Sequence, residues 1–337
     1  MRDENKDFFS SKWWQKATIN EVRTKIVSGA EVNACDEEGV TPLMYAALHS
    51  RHPQIVEMLL QHGARIDARD DEGWTPLMYA VLNRKNPKII KTFASLGADI
   101  NAENENEQTP LMYASRYQEN PQVIKMLAIS GADVNAEDEH GFTPLMYAAY
   151  FNEDPAVIKM LVQLGADINA KTDKDMTSFL FAVTHNKNPE IVNAFVSVGT
   201  EVDFRLNDNA TPTMLAAKYN GSPSMLRKLA EFGADIMAKD RYGWTPLMYA
   251  AWSNQNPQVV KMLIALGAEV NATDIYGCTA LMYAVWKNHN PAVCAELLLG
   301  GADINVNDNN GQTVFDYAKT RNNTEISVLL ENGKRHI

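Results

Sequence analysis

The feature that most constrains this 337-residue chain is a 34-residue period. The run Thr-Pro-Leu-Met-Tyr-Ala begins at Thr41, Thr75, Thr109, Thr143 and Thr245, and weaker versions begin at Thr177, Thr211, Thr279 and Thr313. Nine starts in succession keep one register, with no linker between them. A unit this short cannot bury its own apolar face, so each copy has to lean on its neighbours. The chain is therefore read as one array, although its length would also fit two globular cores.

The tetratricopeptide repeat shares this period, so the punctuation inside the unit has to decide. Thr followed by Pro is a helix start: the hydroxyl caps free backbone N–H groups, and proline suits the first helical position. A second start follows eleven residues later, as Asn120-Pro121, Asp154-Pro155 or Asn256-Pro257. A short first helix lies between the two starts. The second helix carries apolar residues at helical spacing, as in Ile55, Val56, Met58, Leu59 and Leu60. It stops at a glycine (Gly63, Gly97, Gly131 and onward), where a left-handed cap is easiest. Ala-Asp-Ile/Val-Asn-Ala and a polar turn follow, and they read as an extended finger.

Helix, helix and finger, with Thr-Pro at the start and Gly-Ala-Asp-Val-Asn after the second helix, resembles the ankyrin repeat over about residues 12 to 333. The resemblance implies an all-α ankyrin-repeat solenoid with short β-hairpin fingers. It divides into an N-terminal cap unit (1–40), eight full repeats (41–312) and a C-terminal capping repeat (313–337). The family's usual unit is one residue shorter, and the extra residue is placed in the loop before the Asn-Pro cap. Where the family often has histidine after Thr-Pro-Leu, this chain has methionine (Met44, Met78, Met112, Met146, Met248), which implies softer apolar packing. The near-identical copies resemble bacterial members of the family. Trp13 and Trp14 are expected to cover the N-terminal face, and Asp316 and Lys319 to make the last repeat polar.

Composition narrows the function. A net charge of −11 argues against nucleic acid as a partner. No apolar run is long enough to span a membrane. Residues 1–14 lack the apolar core of a secretory signal. The three cysteines (Cys35, Cys278, Cys294) are far apart, which favours free thiols and a reducing compartment. The expected location is cytoplasmic, with export from a bacterium without a recognisable signal peptide as the alternative.

No catalytic set, phosphate loop, metal site or cofactor motif emerges. His49 and His52 fall at a helix end and in the loop after it; His62, His140, His185, His289 and His336 are scattered. The chain is not expected to be an enzyme. Eleven of the 15 methionines read as core: the five above, Met214 and Met282, and the second-helix residues Met58, Met126, Met160 and Met262.

The resemblance also places a concave binding face, at the fourth, third and first residues before each Thr and the seventh and eighth after it. Aromatics recur there: Trp74, Tyr117, Phe142, Tyr150, Phe151, Tyr219, Tyr242, Trp244, Trp252, Tyr276 and Trp286. Exposed aromatics of this kind serve as interface anchors. Trp74, Phe142 and Trp244, just before Thr-Pro, are equally readable as packing between fingers. Charge is uneven as well. The seven residues before each Thr total −11 over the first four repeats, through residues such as Glu37, Glu38, Asp71, Glu72, Glu105 and Glu139, and −1 over the remaining five. The expected function is a scaffold for a protein or peptide partner with a basic segment and an apolar anchor, the chain itself being a monomer. Binding of a cation or small cationic ligand by the acidic fingers, or service as an architectural spacer, are the alternatives.

Overall fold

A computed structural model describes residues 7–84, 86–288, 290–320 and 324–333. His289 and His336 lie outside them. The chain divides into two compact units, Met1–Ser178 and Phe179–Ile337. Twenty α-helices are present among the described residues. None is long and apolar enough to cross a membrane.

In the first unit, Ser11–Trp14 and Ile19–Val27 precede four helix pairs. These are Pro42–His49 with Pro53–Gln61, Pro76–Leu82 with Lys88–Ser95, Pro110–Tyr117 with Pro121–Ile129, and Pro144–Phe151 with Pro155–Gln163. The second unit takes in all but the first residue of Ser178–His185, with Ile191–Ser197, then Pro212–Tyr219 with Pro223–Glu231 and Pro246–Ser253 with Pro257–Ala265. Ala280–Lys287 with Pro291–Leu299, and Val314–Lys319 with Thr324–Gly333, complete it. Across the pairs from Pro42 to Gln163 and from Pro212 onward, first helices pack on first helices and second on second. Leu77, Met78, Ala80 and Val81 of one first helix, and Ile89, Ile90 and Phe93 of its partner, are fully buried.

The threonine hydroxyl accepts the N–H of the methionine three residues on, at 3.3–3.5 Å, as the Thr-Pro start predicts. The methionine has a second role. Its sulfur lies 3.3–3.5 Å from the threonine N–H in five repeats, standing where a capping box usually has a carboxylate or amide. In the last repeat Asp316 takes that place and accepts both the Thr313 N–H (3.0 Å) and its hydroxyl (2.8 Å). Those bonds, with the Lys319 ammonium, hold its carboxyl down at about 2. Asp316 is thus a helix cap as well as a polar terminus. The methionine reading needs one correction: Met126, Met160 and Met262 are half-buried, because the second helix turns that flank outward, whereas the other eight are core.

Trp14 is buried, stacks on Phe8 at 5.4 Å, and donates its indole N–H to the Phe8 carbonyl at 2.8 Å. The short helix that carries it packs on Pro42–His49, and Trp13 lies edge-on to Trp14. The first apolar repeat is covered in this way.

Neighbouring repeats are joined by side-chain amides at two places. At the end of six first helices, a buried amide reaches back to the previous repeat. Asn254 Nδ2 donates to the Ala217 and Asn220 carbonyls at 2.8 and 3.0 Å, while its Oδ1 accepts the Asn256 N–H. Asn83, Asn152, Asn220 and Asn288 repeat the two donated bonds. Gln118 reaches the Val81 carbonyl in the same way. After the second helix an exposed set does similar work: Asn33, Asn101, Asn135 and Asn271 each donate to the glycine carbonyl of the next repeat.

The fingers are turns rather than paired strands. Among the described residues the one isolated bridge is Thr273–Thr279. Asp70 donates its N–H to the Trp74 carbonyl and Gly73 to that of Asp70, which leaves no room for longer strands. Successive tips bond in sequence instead, as Asp71 N–H to Glu38 and Glu105 N–H to Glu72 in the first unit. In the second, Ile275 bonds to Tyr242 and Asn309 to Tyr276. The tip needs a left-handed residue: Gly243 has φ +79°, and a Cβ there would meet Asp274 Cα at 3.1 Å. Glu107, Asp175 and Asn209 adopt the same hand without being glycine.

Asn254→Ala should cost about 2–4 kcal/mol, since it strands two buried carbonyls and an N–H. Asn271→Ala removes bonds at an exposed site where water substitutes, and should cost less than about 1 kcal/mol. Urea unfolding followed by circular dichroism measures the difference; equal costs would refute the distinction.

Candidate functional site

Each regular finger is tied to its own first helix by an aspartate and a tyrosine nine residues apart. Asp240 Oδ1 accepts the N–H groups of Tyr242 and Trp244, both at 2.8 Å, and its Oδ2 accepts the Tyr249 hydroxyl at 2.8 Å. Asp36–Tyr45, Asp70–Tyr79, Asp138–Tyr147, Asp274–Tyr283 and Asp308–Tyr317 repeat the pairing. Asn104 replaces the acid beside Tyr113. Where the acid becomes Thr172 or Leu206, the tyrosine becomes Phe181 or Leu215. That shared loss was legible in the sequence and is the signal that would have revealed the pair.

Burial pushes the Tyr45 hydroxyl up to about 12, helped by its bond to Asp36. Tyr79, Tyr249, Tyr283 and Tyr317 rise further, chiefly through burial. Burial by itself would raise the Asp308 carboxyl. The bonds it accepts from Gln312, Tyr317 and Asn310 outweigh that and hold it below its ordinary value.

The expected aromatics fall into two separate sets. In the first unit Trp74 is half-buried, with its ring centroid 4.3 Å from that of Tyr113 and 5.6 Å from that of Tyr79. Phe142 packs on Tyr147 in the same manner. Tyr117 stacks on Tyr113, and Tyr150 lies 4.1 Å from Phe151. Arg116 is held over Phe151 at 3.9 Å and Tyr117 at 4.9 Å. These last residues border an open groove of about 780 Å³ with Arg84 and Glu119, which pair at 3.1 Å.

In the second unit the aromatics converge. Trp244 lies 4.2 Å from Tyr283 and 5.2 Å from Trp252, and Trp252 meets Trp286 edge-on at 5.6 Å. Trp286 continues to Tyr317 at 5.8 Å. Together with Tyr242 and Tyr276 they line a groove of about 520 Å³. Tyr276 is 54% exposed, Tyr242 40% and Trp286 37%, so large ring surfaces stay open to solvent. Tyr219 is exposed and borders a neighbouring groove of about 590 Å³ with Lys218. Of the residues before Thr-Pro, Trp74 and Trp244 pack on the tyrosine of the next repeat, and Trp244 also lines the groove.

The acidic-finger residues Glu37, Glu38, Asp71, Glu72, Glu105 and Glu139 are all exposed. Among the described residues no group of three or more His, Cys, Asp or Glu could hold a metal ion. Cys35 is exposed, whereas Cys278 and Cys294 are buried thiols, and burial pushes Cys294 up to about 12. Sequence reasoning missed the clamp tyrosines and the cations Arg116, Lys218, Arg241 and Lys287 that lie over the rings.

A family model described as ankyrin repeats (3 copies) matches residues 16–104, 84–172 and 179–274, and one described as ankyrin repeats (many copies) matches 275–318. No curated protein matches the chain.

Because the folded Asp308 carboxyl lies below its unfolded value, its stabilising contribution is present above about pH 4 and is lost as pH falls through the folded value. Asp308→Asn should lower the urea midpoint at pH 7 and flatten its decline between pH 5 and pH 2. An unchanged acid limb would remove the carboxylate from this role. Separately, maleimide should label Cys35 in the native protein and reach Cys278 and Cys294 only in denaturant.

Proposed function

The chain belongs to the ankyrin-repeat family, whose repeats are protein–protein interaction modules, and from that premise we propose that residues 179–337 hold a protein or peptide partner in the groove around Trp252 and Trp286. Ankyrin-repeat proteins are typically non-enzymatic scaffolds. The observation that carries the reading is the groove itself: three tryptophans and two open tyrosines share one concavity. Open aromatic surface gathered in this way is what interface anchors provide, since rigid rings bury much area for little lost rotamer freedom.

A second contact involves the first unit. Its finger tips are bonded in succession, so exposed carboxylates from Glu38 to Glu139 stand in a fixed row. We propose that this row meets basic side chains of a partner. The want of a three-ligand cluster among the described residues favours such side chains over an inorganic cation.

Trp252 is half-buried whereas Tyr276 and Trp286 are exposed, so Trp286→Ala with Tyr276→Ala is a cleaner test than Trp252→Ala with Trp286→Ala. The full chain and the double variant are used as bait, and the retained proteins are identified by mass spectrometry. The variant should lose the wild-type set while its helical circular dichroism is unchanged. Retention of the same proteins would refute the groove as the binding site.

A further inference from the structure

Resting on that groove reading, we propose that the partner segment seated on the 179–337 face is acidic, with an aromatic or aliphatic anchor between its carboxylates. Formal charge gives no hint of this. Residues 179–337 carry fifteen acidic and thirteen basic side chains, for a net −2. Geometry separates the two signs. Asp240, Asp274 and Asp308, the acids of the three fingers beside the groove, are only 6–7% exposed. Each carboxylate already accepts two backbone N–H groups and a tyrosine hydroxyl. A ligand in the groove finds little of their charge within reach.

The cations are placed the other way. Lys287 Nζ lies 4.6 Å from the ring centroid of Trp286 and 5.5 Å from that of Trp252. Lys218 Nζ lies 4.7 Å from that of Tyr219, and the Arg241 guanidinium 4.7 Å from that of Tyr242. None of the three side chains makes an ion pair or hydrogen bond among the described residues. Lys218 and Lys287 sit in the last turns of Pro212–Tyr219 and Ala280–Lys287, where the helix dipole favours positive charge. Ring faces and dipole hold the Lys287 ammonium beside the groove tryptophans, and that of Lys218 in the adjoining groove with Tyr219, without a carboxylate partner.

An incoming acid completes those pairs with charge-assisted bonds, whereas a basic segment meets like charges at a short distance. Single-stranded nucleic acid also combines stacking with positive charge. It needs a basic track along its backbone, however, and this unit is net negative with three such cations.

The test is selection from a random phage-displayed peptide library on the full-length chain, after depletion on the Trp286→Ala variant so that only groove-dependent peptides remain. Labelled peptides are then titrated by fluorescence anisotropy. The expected winners carry Asp or Glu on both sides of Trp, Phe or Leu. Lys218→Glu with Lys287→Glu should weaken them about tenfold or more, and Lys218→Arg with Lys287→Arg should restore binding. If depletion leaves no binders, the groove reading fails and this inference falls with it. If the surviving peptides are neutral or basic, or bind the Glu variant as well as the wild type, the groove stands and the acidic partner is wrong. Displacement of the peptides by oligothymidylate at equal concentration would overturn the assignment in favour of nucleic acid.

Discussion

The side-chain amide that closes most of the first helices is what lets one repeat rest on the one before it. A helix ends with carbonyls that have no partner in the helix, and here those carbonyls are buried between repeats where water cannot serve them. Asn152, Asn220, Asn254 and Asn288 bring two donors to that point and turn their own oxygen to the following loop. Apolar packing between helices would tolerate some sliding. A buried amide bonded at both ends does not, so the register between neighbours is set at one residue per repeat. Gln118 shows how strict the requirement is, since its longer side chain still delivers a donor to the preceding repeat.

Register, in turn, decides what the fingers can present. The aspartate–tyrosine clamp fixes a finger against its own helix, and the tip-to-tip backbone bonds carry that placement to the next repeat. The clamp also has an electrostatic consequence. Acids that look alike in the sequence separate into sealed ones, such as Asp240, Asp274 and Asp308, and open ones, such as Glu72 and Glu105. Only the open kind is available to a partner. Thus the acidic first unit keeps its negative tips, while beside the groove of the second unit the available charge comes from cations held over rings.

Much of the fold was legible because its rules are local. Thr-Pro starts, the Asn-Pro starts and the glycine stops are determined by a few neighbouring residues, and they reappear as helix ends, shifted by one or two residues after Asn86-Pro87 and Asn188-Pro189. Less legible were features that depend on a weak or distant partner. Methionine is rarely read as a hydrogen-bond acceptor, so its place in the helix cap beside Thr41 or Thr245 carried no signal. The outward turn of Met126, Met160 and Met262 could not be told from the buried positions next to them. For the site, position counting marked these aromatic residues but could not say which of them meet.

By itself, the sequence determined the repeat length, the helix pairs, the turn at each finger and the positions where aromatics and acids recur. Those follow from backbone propensity and capping, which act within a few residues. Tertiary structure alone decided that Trp244, Trp252 and Trp286 gather with Tyr276 in one groove, while Trp74, Tyr117, Phe142, Tyr150 and Phe151 belong to another unit. It also decided which carboxylates are sealed by tyrosine and which cations lie over rings. The reason is physical: whether a side chain meets water or a neighbour depends on residues a full repeat away, and that distance is spanned by packing rather than by the local chain.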